Sequence, residues 1–146
     1  MDKKVVTEIN KYLANIAVMY VKVHNLHWNV TGTSFKASHE YLETIYDGLA
    51  ESFDAVAEAL KMHGEKPLAS LKSYLEVATI KEIPSEEMCA CKAFEIVLAD
   101  LKEMKALGEA IRAQADAAGL YDIVSLIEGD LANFAKTIWF ISAMGK

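Results

Sequence analysis

Apolar residues recur at three- and four-residue steps along the start of the chain, as they do on one face of an α-helix. The members of this stripe are Ile9, Leu13, Ile16, Tyr20 and Val23. At 100° per residue, His27 falls in the middle of the same stripe. The pattern therefore predicts one long helix from about Lys3 to Val30, ended by Thr31-Gly32-Thr33.

A second amphipathic helix is predicted from about Phe35 to His63, with Thr33 or Ser34 as its cap and Gly64 as its stop. Its apolar stripe comprises Leu42, Ile45, Leu49, Phe53, Val56 and Leu60. A polar stripe, rotated by roughly 120° from the apolar one, comprises His39, Glu43, Asp47, Asp54 and Glu58. This helix therefore presents a histidine and several acids away from its apolar face.

The second half of the chain predicts one short and two long helices. The apolar spacing of Leu68 to Val77 suits a short helix, and Pro84-Ser85-Glu86-Glu87 is typical of a helix start with Ser85 as cap. The third long helix ends at Gly119, and the fourth runs from about Tyr121 to Met144. No stretch of β-forming residues alternates with period two, so no strand is predicted.

Four long helices and a short one predict an all-α fold, a four-helix bundle occupying residues 1–146 as a single domain. The short helix lies in the connection between the second and third long helices, where a crossover is needed if those two are parallel. This arrangement favours the ferritin-like connectivity over a simple up-down bundle. The apolar runs are too short to cross a bilayer and no leader precedes the first helix, so a cytoplasmic, non-membrane protein is expected.

The net charge argues against a nucleic-acid-binding protein, and the cysteine content argues against a disulfide-stabilised one. The formal net charge is −6, which repels nucleic acid and attracts cations. The two cysteines, Cys89 and Cys91, are too few and too close for a disulfide framework, and reduced thiols are expected.

Four residues form a nitrogen-and-carboxylate set of the kind that iron prefers. They are His27, His39, Asp54 and Glu58. Each has a plainer interpretation, because a histidine on an apolar stripe is usually a core residue and an acidic stripe is usually a solvated face. However, acids stacked at i, i+4 destabilise a helix, and a bound cation would relieve that repulsion.

The spacing of the histidines excludes one kind of iron site. Single-chain di-iron bundles carry a Glu-x-x-His pair on each of two helices, and no histidine here has a glutamate three residues before it. A di-iron centre inside one chain's own bundle is therefore not expected.

The motif around these ligands resembles that of the Dps mini-ferritins. It reads Leu26-His27-Trp28-Asn29-Val30-x-Gly32-x-x-Phe35-x-x-x-His39-Glu40, followed by Tyr46-Asp47 and Asp54-x-x-Ala57-Glu58. Lys66-Pro67-Leu68 and Lys136-x-Ile138-Trp139 extend the resemblance along the whole chain.

The resemblance implies a di-iron or mono-iron site between two subunits at a two-fold axis. His27 and His39 would come from one chain, and Asp54 and Glu58 from its partner. Glu43, one turn after His39, would be a weaker additional ligand. Trp28 would lie beside the iron, where it packs the site and intercepts oxidising equivalents, although plain packing remains an alternative. Trp139 is expected in the core and His63 at the surface, and His24 is left outside the ligand set.

The resemblance further implies a hollow dodecamer that oxidises Fe(II), preferably with hydrogen peroxide, and stores ferric mineral. Its pores would be lined by acids, for which Asp116, Asp122, Glu128 and Asp130 are the available candidates. Only Lys3 and Lys4 precede the first helix, so direct DNA binding is not expected. The alternatives are a nucleoid protein that binds DNA with little iron oxidation, and a structural helical oligomer without metal chemistry.

Overall fold

The computed structural model describes all residues, 1–146, and four long helices dominate it. In chain order the elements are α1 (Lys3–Asn29), β1 (Val30–Thr31), α2 (Phe35–Met62), α3 (Leu71–Val77), β2 (Met88–Cys89), α4 (Ala90–Ala117) and α5 (Tyr121–Met144). α1 packs mainly against α2, and α4 against α5, while α1 also contacts α4 and α2 contacts α5. The predicted all-α bundle with a short helix between the second and third long helices is confirmed.

A two-residue parallel bridge establishes the direction of α4. Val30 pairs with Met88 and Thr31 with Cys89, so the chain leaving α1 meets the chain entering α4. Because α2 starts directly after α1, α2 and α4 both start at this end of the bundle. The connection between them must therefore run back along the whole bundle, which is the crossover that the sequence predicted. The expectation of no strand was wrong here, because two residues are too few to show an alternating pattern.

The start of α4 also differs from the sequence prediction. The helix begins at Ala90, after Cys89, and not next to Ser85. The Asn25 side chain donates hydrogen bonds to the carbonyls of Ile83 (3.4 Å) and Pro84 (3.2 Å), and β2 occupies the residues that follow. These tertiary contacts keep the segment extended, so the local capping signal at Ser85 is overridden.

The crossover is fixed to α1 by polar side chains that are buried or half-buried. The Asn15 side-chain oxygen accepts from the backbone N–H groups of Thr79 (2.8 Å) and Ile80 (3.1 Å), and that of Asn10 accepts from the backbone of Leu68 (2.8 Å). Tyr74 of α3 donates to the carbonyl of Leu68 at 2.8 Å. Because Leu68 is held in this way, α3 starts three residues later than predicted, at Leu71.

The four long helices bury one continuous apolar core. Most residues of the predicted stripes lie in it, including Ile9, Leu13, Ile16, Val23, Leu42, Leu49, Val56 and Leu60. Two expectations were wrong. Trp139, expected in the core, is 65% exposed and meets Phe140 edge-on, with ring centroids 4.9 Å apart. Tyr20, expected in the apolar stripe of α1, is 37% exposed. No helix is long and apolar enough to cross a membrane.

Candidate metal centre

His27 and His39 stack face to face where α1 ends and α2 begins. Their ring centroids are 3.6 Å apart and the rings are within 13° of parallel. The tight turn between the helices brings them together, and Gly32 in that turn has φ +112°, a conformation that other residues rarely adopt. The proximity that the sequence predicted for these two rings is therefore present within one chain.

Each of the two imidazoles donates a hydrogen bond to the other residue's backbone. His27 Nδ1 lies 2.7 Å from the carbonyl oxygen of His39, and His39 Nδ1 lies 2.7 Å from that of His27. A carbonyl oxygen can only accept, so both Nδ1 atoms carry the proton. In neutral rings both Nε2 atoms then hold a free lone pair, which is the form in which histidine binds metals.

The backbone explains why this pairing is available. His27 lies in the last turn of α1, where carbonyl groups have no partner within the helix. The His39 ring satisfies one of these carbonyls, so the hydrogen bond stabilises the helix end and orients the ring at the same time. Neither Nε2 has a protein partner, and neither is enclosed as an unsatisfied buried atom. The two nitrogens are therefore available to a ligand from outside the chain.

An aromatic cluster surrounds the histidine pair, and sequence reasoning missed part of it. His24 stacks on Tyr46 with centroids 3.7 Å apart, and Trp28 lies 5.4 Å from His24. Trp28 is 68% exposed, so it is a surface residue beside the cluster rather than core packing. His24 was omitted although its place three residues before His27 put it on the same helix face.

Glu43 is drawn into this cluster by Tyr46. The Tyr46 hydroxyl donates to Glu43 Oε1 at 2.9 Å. Desolvation, followed by the hydrogen bond to Glu43 and the nearby negative charges, raises the pKa of Tyr46 to about 12. Glu43 therefore has one oxygen engaged, and the other remains free to act as an additional ligand.

Asp54 and Glu58 are exposed on α2, one helical turn apart. They lie fifteen residues or more beyond His39, which corresponds to about 22 Å along a helix that rises 1.5 Å per residue. No group of three or more His, Cys, Asp or Glu side chains in the chain comes close enough to hold a metal ion. One chain therefore offers a histidine pair and a carboxylate pair at separate places.

The acids considered for a pore have different surroundings. Asp116 and Glu128 both bind Arg112, at 3.1 Å and 2.8 Å, and Asp122 binds His63 at 2.8 Å. Partial burial opposes ionisation of Asp122, yet the hydrogen bonds from His63 and the backbone lower its pKa below the usual value. Asp130 is buried in the bundle and is no longer a candidate for a surface pore. The two cysteines are free and exposed.

Comparison with known proteins agrees with the architecture. A model of the ferritin-like domain matches residues 6–145. A relative from Helicobacter pylori, named DNA protection during starvation protein, is 34% identical over 137 residues, which is 93% of this chain and 95% of the relative. The crystal structure of a Dps protein from Bacillus brevis superposes with a TM-score of 0.94 at 31% identity, covering 99% of this chain and 96% of the other.

A third match describes the superfamily. A Dps protein from Vibrio cholerae, described as a member of a broad superfamily of ferritin-like diiron-carboxylate proteins, superposes with a TM-score of 0.94 at 25% identity, covering 99% of this chain and 90% of the other. The four-helix bundle with its crossover helix is thus a ferritin-like domain. Within that class, the chain belongs to the Dps family.

Proposed function

We propose that this protein is an iron-detoxifying and iron-storing mini-ferritin that oxidises Fe(II), preferably with hydrogen peroxide. The observation that carries the proposal is the reciprocal hydrogen bonding of His27 and His39, which leaves two Nε2 lone pairs free at one place on the surface. Imidazole nitrogen together with carboxylate oxygen is a donor set that suits iron.

We further propose that each iron site is shared between two subunits. Within one chain Asp54 and Glu58 lie too far along α2 to reach the histidines. The two carboxylates are exposed, and the Nε2 atoms of His27 and His39 are not enclosed by the protein. Two copies related by a two-fold axis can place the histidines of one against Asp54 and Glu58 of the other. An isologous dimer of this kind contains two equivalent sites.

The roles of the residues follow from their chemistry. The two histidines bind Fe(II) through Nε2, with their rings oriented by the Nδ1 hydrogen bonds. Asp54 and Glu58 supply negative charge, which stabilises Fe(III) more than Fe(II) and so favours oxidation, and Glu43 is a weaker additional ligand. Two Fe(II) ions give up one electron each, and one hydrogen peroxide takes both electrons and two protons to become two waters. Hydroxyl radical is not formed when the two electrons are delivered together.

The surroundings of the site support this chemistry. Trp28 lies at the edge of the aromatic cluster, and we propose that it intercepts oxidising equivalents that escape the site. The family resemblance supports a dodecameric shell in which ferric mineral accumulates, and the expected compartment is the cytoplasm. Protection of DNA would then come mainly from the removal of iron and peroxide, and direct DNA binding is not part of the proposal.

The test is stopped-flow oxidation of Fe(II) by hydrogen peroxide with an Asp54→Ala, Glu58→Ala double variant. Most of the fast phase should be lost while helical content is retained, because removing stacked like charges does not weaken the helix. The matched control is Asp47→Ala with Glu51→Ala, two exposed acids at the same spacing on the same helix. Oxidation at the parental rate in the first variant, or an equal loss in the control, would show that the site is assigned wrongly.

A further inference from the structure

Asp130 of α5 is a buried carboxylate with one oxygen occupied and the other free. It is 9% exposed, and its Oδ2 accepts hydrogen bonds from the Tyr12 hydroxyl at 2.8 Å and the Ser52 hydroxyl at 2.5 Å. Both donors use the same oxygen, so Oδ1 has no protein hydrogen-bond donor. Two hydroxyls that donate to one carboxylate oxygen favour the ionised form of the group.

The charge of Asp130 has no counter-ion from the protein. Tyr12 and Ser52 are neutral, and Asp130 takes part in no ion pair, unlike the partly buried Asp100, which binds Lys22 at 2.7 Å. Burial raises the pKa of Asp130 although the two hydroxyl groups act to lower it. Buried charges in proteins are normally paired or bound to a metal, because an isolated one is costly.

Oδ1 is not an enclosed, unsatisfied atom, and Asp130 lines a cleft of about 530 Å³ between α2 and α5. Asn133 and Thr137 follow one and two turns after Asp130 on the same face of α5, and both line this cleft. The only cationic side chain there is that of Lys136, whose Nζ lies over the Phe140 ring, 5.7 Å from its centroid. The cleft therefore offers oxygen donors and one uncompensated negative charge.

We propose that this cleft binds a hard divalent cation of the Mg²⁺ or Mn²⁺ class, with Asp130 Oδ1 as the anchoring ligand. The protein donors are the Asp130 carboxylate and the amide oxygen of Asn133, one turn later on the same face of α5, and water molecules complete the coordination. Oxygen donors without histidine or cysteine select hard cations over soft ones. The site is separate from the proposed iron site, because Ser52 faces the core and Asp54, two residues later, faces outward.

A bound cation would neutralise the one carboxylate that the fold leaves unpaired in its interior. Through the Ser52 and Tyr12 hydrogen bonds it would also hold α1, α2 and α5 together. Sites with few charged ligands bind weakly, and we expect a dissociation constant on the order of 10⁻⁴ to 10⁻³ M.

The test counts bound Mn²⁺ in the assembled protein by electron paramagnetic resonance of the free ion. The starting protein is an Asp54→Asn, Glu58→Gln variant, in which the proposed iron site is disabled. Adding Asp130→Asn should remove one bound Mn²⁺ per chain, since asparagine keeps the shape but not the charge. Glu109→Gln, at an exposed acid on α4, is the matched control and should leave the count unchanged. An equal count with and without Asp130→Asn overturns the proposal.

Two further measurements do not depend on the Asp130→Asn variant folding normally. Lys136→Gln should tighten Mn²⁺ binding several-fold because it removes the only competing cation; no change, or weaker binding, counts against the site. Crystals of the unaltered protein soaked in Mn²⁺ should show anomalous density at coordination distance from Asp130 Oδ1, and an empty cleft at 10 mM Mn²⁺ overturns the proposal. Mn²⁺ lost through the Asp54 and Glu58 changes reports on the proposed iron site, whereas Mn²⁺ lost through Asp130→Asn reports on the cleft. The two proposals can therefore fail separately.

Discussion

His27 and His39 each donate a hydrogen bond from Nδ1 to the other's backbone carbonyl, at 2.7 Å in both directions. The pair is therefore oriented within one chain, before any partner or metal arrives. Preorganised ligands lose less conformational entropy on binding. The chain does not bring Asp54 or Glu58 of its own α2 beside this pair.

The shared site predicts complementation between two inactive variants. His27→Ala and Asp54→Ala should each abolish most of the fast Fe(II) oxidation when expressed alone. In a mixed dimer, one site receives both lesions and the other receives neither. Random pairing makes half of the dimers mixed, so roughly a quarter of the parental sites should be recovered on co-expression.

The measurement is the amplitude of fast oxidation in co-expressed protein, with mixed oligomers verified by native mass spectrometry. The control is co-expression of a His27→Ala chain with a His39→Ala chain. Every site then has one defective histidine, so no activity should be recovered. If the His27 and Asp54 variants recover nothing when mixed, the ligands do not come from different chains.

The buried carboxylate of Asp130 should leave a signature in the pH dependence of stability. Burial raises its folded-state pKa, so the folded protein holds this proton more tightly than the unfolded chain does. The resulting stabilisation is complete below the unfolded pKa of about 4 and is lost as the pH rises through the folded pKa. Relative to Asp130→Asn, the parent protein should therefore lose stability as the pH rises from about 4.

This difference is measured by thermal unfolding from acid to neutral pH, with a chelator present so that no divalent cation binds the cleft. Ser52→Ala removes one hydroxyl donor to the carboxylate and should enlarge the effect, because the ionised form loses support. If the difference in unfolding midpoint between the parent and Asp130→Asn stays constant across this pH range, the expectation is contradicted.

The largely buried ion pair between Lys22 of α1 and Asp100 of α4 should matter more to stability than the exposed pairs. Their side chains are 6% and 13% exposed, and the N–O distance is 2.7 Å. Burial raises the pKa of Asp100, which the Lys22 ammonium opposes. Lys22→Met strands that carboxylate in the interior and should cost about 3–5 kcal/mol of unfolding free energy.

Denaturant unfolding can distinguish the stability contributed by the ion pair from the cost of leaving one of its charges unpaired. Lys22→Met with Asp100→Leu replaces both charges by apolar groups and should recover most of the loss. Lys105→Met, in an exposed i, i+4 pair with Glu109, is the comparison and should cost less than about 1 kcal/mol. A similar cost for the Lys22 and Lys105 variants would show that burial does not govern the effect.

DNA binding should be undetectable near neutral pH at physiological salt. The 146 residues carry a formal net charge of −6, and phosphate contacts by cationic side chains dominate nucleic-acid affinity. A gel-shift assay with plasmid DNA measures this directly. A variant extended by a lysine-rich N-terminal segment is the positive control and should bind in a salt-dependent manner. A stable complex with the parent protein would reveal a basic surface that the net charge conceals.

The sequence determined the long helices and indicated the candidate ligands, because helix formation and residue type are both local information. Periodic apolar stripes in α1 and α2 specify amphipathic helices wherever those helices pack. The absence of a Glu-x-x-His pair argued against a di-iron centre inside one chain's own bundle, and the family resemblance supplied the expectation of a site shared between subunits. The direction of α4 was also accessible, since a short helix in a long connection indicates a crossover.

Tertiary structure decided the features that depend on residues distant in the chain. Ser85 has the character of a helix cap, but Asn25 and the Val30–Met88 pairing hold its segment extended. Helical spacing already places Asp130 between Ile127 and Phe134 on the buried face of α5. Its hydrogen-bond donors, Tyr12 and Ser52, lie 118 and 78 residues away in the chain. The partners that make the burial of a polar group tolerable are brought to it by the fold, and no local pattern records them.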